Sequence, residues 1–282
     1  MGFAWVIARL PVSWSNGLGR GLGWLASRIS PRRRQIALDN LTSALPEHSA
    51  AEIAAAMYQH FGLMIVEILR AAGGRPPPIT LEGIEHVEQA LEPGRGVIVL
   101  TGHVGNFELS TQMAAQMPAP VSVIIRQFTS PVAAAVLKRM RSNGPRYLLA
   151  GSSARDALRV LKRGEILVFV FDQHTPSDGA VWVPFFGRPA GTGRDLVRLA
   201  QKTGARIVPV FTWRRPGHHV FEAFPAVELS TSDDEGIKAD TAKCTALIEA
   251  AIRREPAQWT WTHRRWKTPP RTTPTQSREQ NG

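Results

Sequence analysis

Gly96-Val97-Ile98-Val99-Leu100-Thr101, running on into Gly102-His103-Val104-Gly105-Asn106-Phe107-Glu108, is the stretch that decides the fold. Its first part is an unbroken apolar run of strand length, and Ile166-Leu167-Val168-Phe169-Val170-Phe171 repeats the pattern. A strand apolar at every position is buried on both faces, as in a parallel sheet flanked by helices. Further runs at Val121 to Arg126 and Arg206 to Phe211 alternate with helical segments at Phe107 to Met117, Pro131 to Arg141, Ser153 to Lys162 and Asp195 to Thr203. The alternation predicts an α/β fold, with a mostly parallel central sheet covered by helices on both faces. His219 to Phe224 reads as a further strand, with a sheet edge as one place for it, and Ile237 to Arg254 as the last helix.

Upstream the chain is helical. Ile36 to Leu45 is a short helix ended by Pro46, and Ser49-Ala50-Ala51-Glu52 is a capping box that opens a longer one. Ile53, Met57, Phe61, Met64, Ile65 and Ile68 keep a helical period until Gly73-Gly74 and the prolines Pro76 to Pro78 end it. Before these, Trp14, Leu18, Leu22, Leu25 and Ile29 line one helical face, with Arg32-Arg33-Arg34 following. Arg9, Pro11, Asn16 and Arg20 break this stretch, so it falls short of the roughly 20 apolar residues of a membrane span. It lacks the basic start and small-residue cleavage site of a signal peptide. The stripe suits an interfacial helix on a membrane surface, or a helix packed on the protein's own core. The expected organisation is an amphipathic membrane-associating segment over 1–34, a folded domain over 35–268 and a disordered, proline-bearing tail over 269–282.

Composition bounds the function. The 282 residues are 43% apolar and 20% charged, enough for a sizeable core without disulfide or metal staples. The single cysteine, Cys244, excludes an internal disulfide framework and a Cys-based zinc site. With 34 Lys+Arg against 23 Asp+Glu the formal charge is +11, which points to an acidic partner. Nucleic acid would suit that charge, but no recognition motif accompanies the arginines, and no nucleic acid is expected. No standard ligand spacing appears among the histidines and carboxylates, so no metal is expected.

In a parallel α/β sheet the loops after the strands carry the chemistry. His103 and Glu108 stand five residues apart across a glycine-bearing turn into a helix start, where the carboxylate can fold back onto one imidazole nitrogen and leave the other as a general base. Backbone N–H groups near Gly105 and Asn106 are candidates to hold a developing oxyanion. The pattern fits acyl or phosphoryl transfer without a protein nucleophile. A loop histidine beside an ordinary helix-start carboxylate fits it as well.

Four ordered blocks resemble the late lipid A acyltransferases, the bacterial lauroyl and myristoyl transferases within the wider glycerolipid acyltransferase-like group. Gly102-His103-Val104-Gly105-Asn106-Phe107-Glu108 is similar to the family's His-x4-Glu motif. Asp172-Gln173 with Val183-Pro184-Phe185-Phe186-Gly187, the strand Arg206 to Phe211, and Gln258 to Lys267 resemble three further family segments. The family's Arg-Pro after the following strand is Arg126-Gln127 here, which touches acceptor identity more than reaction type. The resemblance implies an O-acyltransferase moving a fatty acyl group from an acyl-carrier protein or coenzyme A thioester to a hydroxyl of a lipid or glycolipid, with no bound cofactor. It implies His103 and Glu108 as catalytic residues and lipid A biosynthesis as the setting, on the cytoplasmic face of the bacterial inner membrane. Another lipid acceptor, such as a phosphatidylinositol mannoside or lysophospholipid, and a non-catalytic membrane-binding homologue are the alternatives. Arg126, Arg264 and Arg265 are candidate phosphate ligands, Asp172 a further substrate contact, and Phe185 and Phe186 candidate walls of an acyl pocket. The partners expected are the acyl donor, the lipid acceptor and an anionic membrane surface.

Overall fold

The computed structural model describes residues 2–125, 134–137, 145–149, 153–176 and 179–267. Arg126, most of the segment 131–141 and the tail 269–282 lie outside them. Four helices come first: α1 (Gly2–Arg9), α2 (Val12–Ile29), α3 (Pro31–Ala44) and α4 (Ala50–Ala72). The α/β part follows as β1 (Ile79–Glu82), α5 (Ile84–Leu91), β2 (Val97–Thr101), a 3-10 helix (Leu109–Gln116), β3 (Val121–Ile125), β4 (Arg146–Leu149), α6 (Ser153–Lys162), β5 (Ile166–Val170), β6 (Ala180–Phe185), β7 (Arg188–Gly193), α7 (Asp195–Thr203), β8 (Arg206–Arg215), β9 (His218–Ala223) and α8 (Asp234–Arg254).

The main sheet runs β1-β9-β8-β2-β5-β3-β4. Every neighbouring pair is parallel except β8 with β9. The strand read near His219 is therefore not an edge, because β1 pairs outside it. β6 and β7 form a separate antiparallel hairpin. Period-two alternation splits the strand residues between two faces. Ile98, Leu100, Leu167 and Ile207 pack into the larger core, and Val97, Val99, Ile166 and Val208 into a second core with Val87 and Ala90 of α5. The helical segment read after β2 is a 3-10 helix.

The glycines of α2 have a packing purpose. The buried residues of α2 are Ser15, Gly19 and Gly23, while Trp14, Leu18, Leu22, Leu25 and Ile29 face outward. Glycine lets α2 lie against α4 at backbone distance, so a Cβ on Gly62 would fall 1.9 Å from the Gly19 carbonyl oxygen. We expect Gly62→Ala to part the two helices and cost about 1 to 3 kcal/mol of stability. A thermal melt of the full chain checks this, and an unchanged Tm would contradict it.

Candidate active site

His103 and Asp172 meet because their strands are neighbours. β2 and β5 run parallel with Thr101 opposite Val170, so the residues two beyond each strand end emerge side by side. His103 Nδ1 lies 2.8 Å from Asp172 Oδ1, and the His103 backbone N–H donates to Asp172 Oδ2 at 2.8 Å. The turn after His103 is held by Gly105 at φ 63°, where a Cβ would lie 1.9 Å from the Thr212 carbonyl oxygen. Only glycine suits that conformation and that closeness.

The expectation that Glu108 folds back onto one imidazole nitrogen is corrected at Nδ1. The carboxylate on Nδ1 is that of Asp172, and Glu108 sits at the start of the 3-10 helix, on the wall of the same cavity as His103. Burial alone would push the His103 pKa down, but the Asp172 charge and hydrogen bond, with the charge of Glu108, outweigh it and raise the pKa above 6.5. Asp172 is buried, which favours the neutral acid, yet the His103 charge and the N–H donors around it bring its pKa down to about 2. The pair is therefore a carboxylate beside a histidine of raised basicity. With Nδ1–H facing the carboxylate, Nε2 is left as the acceptor, and the Gln173 side-chain nitrogen stands 3.4 Å from it. Phe107 packs edge-on against the imidazole, 4.7 Å between ring centroids.

Below His103 opens a cavity of about 590 Å³ between the sheet and the 3-10 helix. His103, Glu108, Phe171 and Gln173 stand at the strands' carboxyl ends, while Val121 and Ile166 line the far end. The walls between are apolar, with Val99, Val123, Val168 and Val210 from the sheet and Met113 and Met117 facing them.

A buried polar cluster supports the loop from the other side. Arg214 of β8 makes a two-armed ion pair with Glu67 of α4, and Glu67 Oε2 also accepts from Asn106 Nδ2 at 2.8 Å and lies 3.2 Å from His219 Nε2. Although burial disfavours charge on Glu67, His219 and Arg214 take its pKa to about 2. His60 beside them is lowered to about 4 by burial and by Arg214.

Several expected site residues have other duties. The Gly105 N–H donates to the Gln258 carbonyl oxygen at 2.9 Å, so it is not available to an oxyanion. The Asn106 side chain is buried and tied to Glu67, which does not bear on the role expected of its backbone N–H. Asp172 is an internal partner of His103 rather than a substrate contact. Arg265 is 0% exposed, its guanidinium donating to the Gly191 carbonyl and the Thr192 hydroxyl, whereas Arg264 is exposed. Phe185 and Phe186 are buried against Trp259, Trp261 and Trp266 and do not line the cavity. Gln173, Glu67 and Trp259 join the site only through the fold, which brings them to the loop.

The His-x4-Glu loop at the carboxyl end of a mostly parallel sheet, with an apolar cavity beneath it, suits an acyltransferase, and the chain belongs to the bacterial lipid A biosynthesis acyltransferase family, whose model matches residues 1–268. The chain is 27% identical to the lipid A biosynthesis palmitoleoyltransferase of Escherichia coli (strain K12), over 96% of this chain and 90% of the relative. It is 28% identical to the lipid A biosynthesis lauroyltransferase of the same strain, over 97% and 92%. A phosphatidylinositol mannoside acyltransferase of Mycobacterium tuberculosis (strain ATCC 25618 / H37Rv) is 22% identical over 65% of this chain and 58% of its own length.

Proposed function

We propose that this acyltransferase moves a fatty acyl group from an acyl-carrier protein or coenzyme A thioester to a hydroxyl of a lipid A precursor, with His103 as the base. The observation that carries the reading is that His103 lines the apolar cavity at the strands' carboxyl end. The wall from Ile166 to Val170 spans on the order of 15 Å at strand rise, which suits an extended acyl chain with its thioester carbonyl beside His103. The acceptor hydroxyl takes the position that Gln173 now holds at Nε2. As its oxygen attacks the carbonyl, its proton passes to Nε2, the C–O bond forms and the C–S bond breaks. The imidazolium then returns the proton to the departing thiolate, and no acyl-enzyme is required. Asp172 fixes the tautomer, and Glu108 adds a second negative charge that steadies the imidazolium.

The test uses purified full-length protein in micelles, with lauroyl-acyl-carrier protein as donor and a phosphorylated lipid A precursor as acceptor. Thiol release matched by an equal acyl mass gain on the acceptor is the expected result. Thiol release without that gain would make the protein a thioesterase and overturn the reading.

Membrane docking by α1 and α2 is part of the proposal. Phe3, Trp5, Trp14, Trp24 and Ile29 are each more than half exposed, giving the N-terminal helices an outward apolar face. Arg32, Arg33 and Arg34 open α3 with no acidic residue in its first turn, an arrangement the helix dipole disfavours and an anionic surface would offset. A thioester donor made in the cytoplasm places the site on the cytoplasmic face of the inner membrane. Replacing Arg32, Arg33 and Arg34 by Gln is expected to release the protein from vesicles containing phosphatidylglycerol, and wild-type attachment should weaken as salt rises. Equal, salt-insensitive binding to neutral and anionic vesicles would contradict this.

A further inference from the structure

Asp172 is locked at both oxygens, and one of the locks comes from the far end of the chain. Oδ1 faces His103 Nδ1, while Oδ2 accepts two N–H groups, from the His103 backbone and from the Trp259 indole nitrogen at 2.8 Å. The backbone donor moves with the His103 loop itself. The Trp259 donor comes from the C-terminal segment, so it ties the carboxylate to a second part of the fold. Trp259 is 1% exposed, and its placement is over-determined. Its backbone bridges Val104 in the active loop, and the preceding Gln258 accepts from the Gly105 N–H. Its ring meets Trp261 edge-on at 4.8 Å and Phe185 at 5.8 Å. Arg265 lies over the Phe185 ring and ties the same segment to the β6–β7 hairpin. Phe185, expected in an acyl pocket, and Arg265, expected at a phosphate, thus pack beside this indole.

We propose that Trp259 is a positioning residue of the acyl-transfer site, its indole N–H aiming the Asp172 carboxylate at His103 and sharing its charge. The inference rests on the reading of His103 as the base. Removing the N–H leaves more of the Asp172 charge to act on the imidazolium, so His103 becomes more basic and its neutral form is lost at a higher pH. The carboxylate is also freed to turn about its Cβ–Cγ bond, which loosens the imidazole. The other titratable groups facing the pair are Glu108 from the 3-10 helix start and His263 and Arg265 from the C-terminal segment. All three are retained in the variant.

The experiment is Trp259→Phe in the full chain, which keeps an aromatic ring and deletes the donor. The His103 titration is followed by NMR of isotope-labelled histidine, a readout that needs no substrate and stands even if the acyl-transfer reading fails. Its midpoint should rise by about half a unit in the variant and be unaffected by the same change in an Asp172→Asn background. In the lauroyl-transfer assay kcat should fall about 10-fold with KM for the donor little changed. If phenylalanine disturbs folding, benzothienylalanine at 259 keeps the bicyclic shape and replaces only the N–H. An unmoved or lowered midpoint in the folded variant would overturn the assignment, as would an Asp172→Asn background in which Trp259→Phe still shifts it.

Discussion

Replacing His103 by alanine is expected to lower kcat for acyl transfer by about 10² to 10⁴-fold while the protein keeps its fold. The magnitude follows from what Nε2 does. A lipid hydroxyl does not ionise near neutral pH, so attack on a thioester is slow unless the proton leaves as the C–O bond forms. Nε2 is a basic atom on the cavity wall at the strands' carboxyl end, with its partner nitrogen held 2.8 Å from Asp172. The imidazole is a quarter exposed, so its loss opens no core cavity, and the Tm should change little. Steady-state rates with lauroyl-acyl-carrier protein, beside a thermal melt, make the check. A folded variant with near-normal turnover would remove His103 from the reaction.

Asp172→Asn is the second large effect, expected at about 10³ to 10⁴-fold. The substitution keeps the shape but presents the imidazole with an amide whose NH2 can face Nδ1. That favours the tautomer with the proton on Nε2, where no base remains to receive one from the acceptor. The pH dependence separates this from simple damage. In the wild type the Asp172 and Glu108 charges outweigh burial and raise the His103 pKa, so the acid limb of kcat/KM should lie above 6.5. Activity belongs to the neutral imidazole, hence it is lost as pH falls through that raised value. With the Asp172 charge gone, burial prevails and the limb should move below 6.5 for whatever activity survives. An acid limb that stays in place would mean Asp172 does not control His103.

Much of the fold is legible because its signals are local. Continuous apolar runs mark β2, β3, β5 and β8, and the capping box at Ser49 opens α4, its hydroxyl accepting from the Glu52 N–H. β1 is short and follows a run of prolines, while β6 and β7 carry Pro184, Pro189 and glycines that read as loop, so neither announces itself as a strand. The site divides along the same line. His103 is legible as a strand-end histidine, but the carboxylate on its Nδ1 lies 69 residues away and not five, since strand order and register decide which loops meet. Arg265 looked like its exposed neighbour Arg264, and only tertiary packing turns one inward. The stripe on α2 was visible, yet the sequence left open which face pointed in. The buried glycines resolved it, with the tryptophans left outside.

The measurement that bears most directly on the central claim is lipid mass spectrometry of the host bacterium with this gene deleted and then restored. Deletion should remove one acyl chain from a membrane glycolipid, the wild-type gene should return it, and the His103→Ala gene, expressed to the same level, should not. A lipid profile unchanged by deletion, or the chain restored by His103→Ala, would contradict transfer by this site.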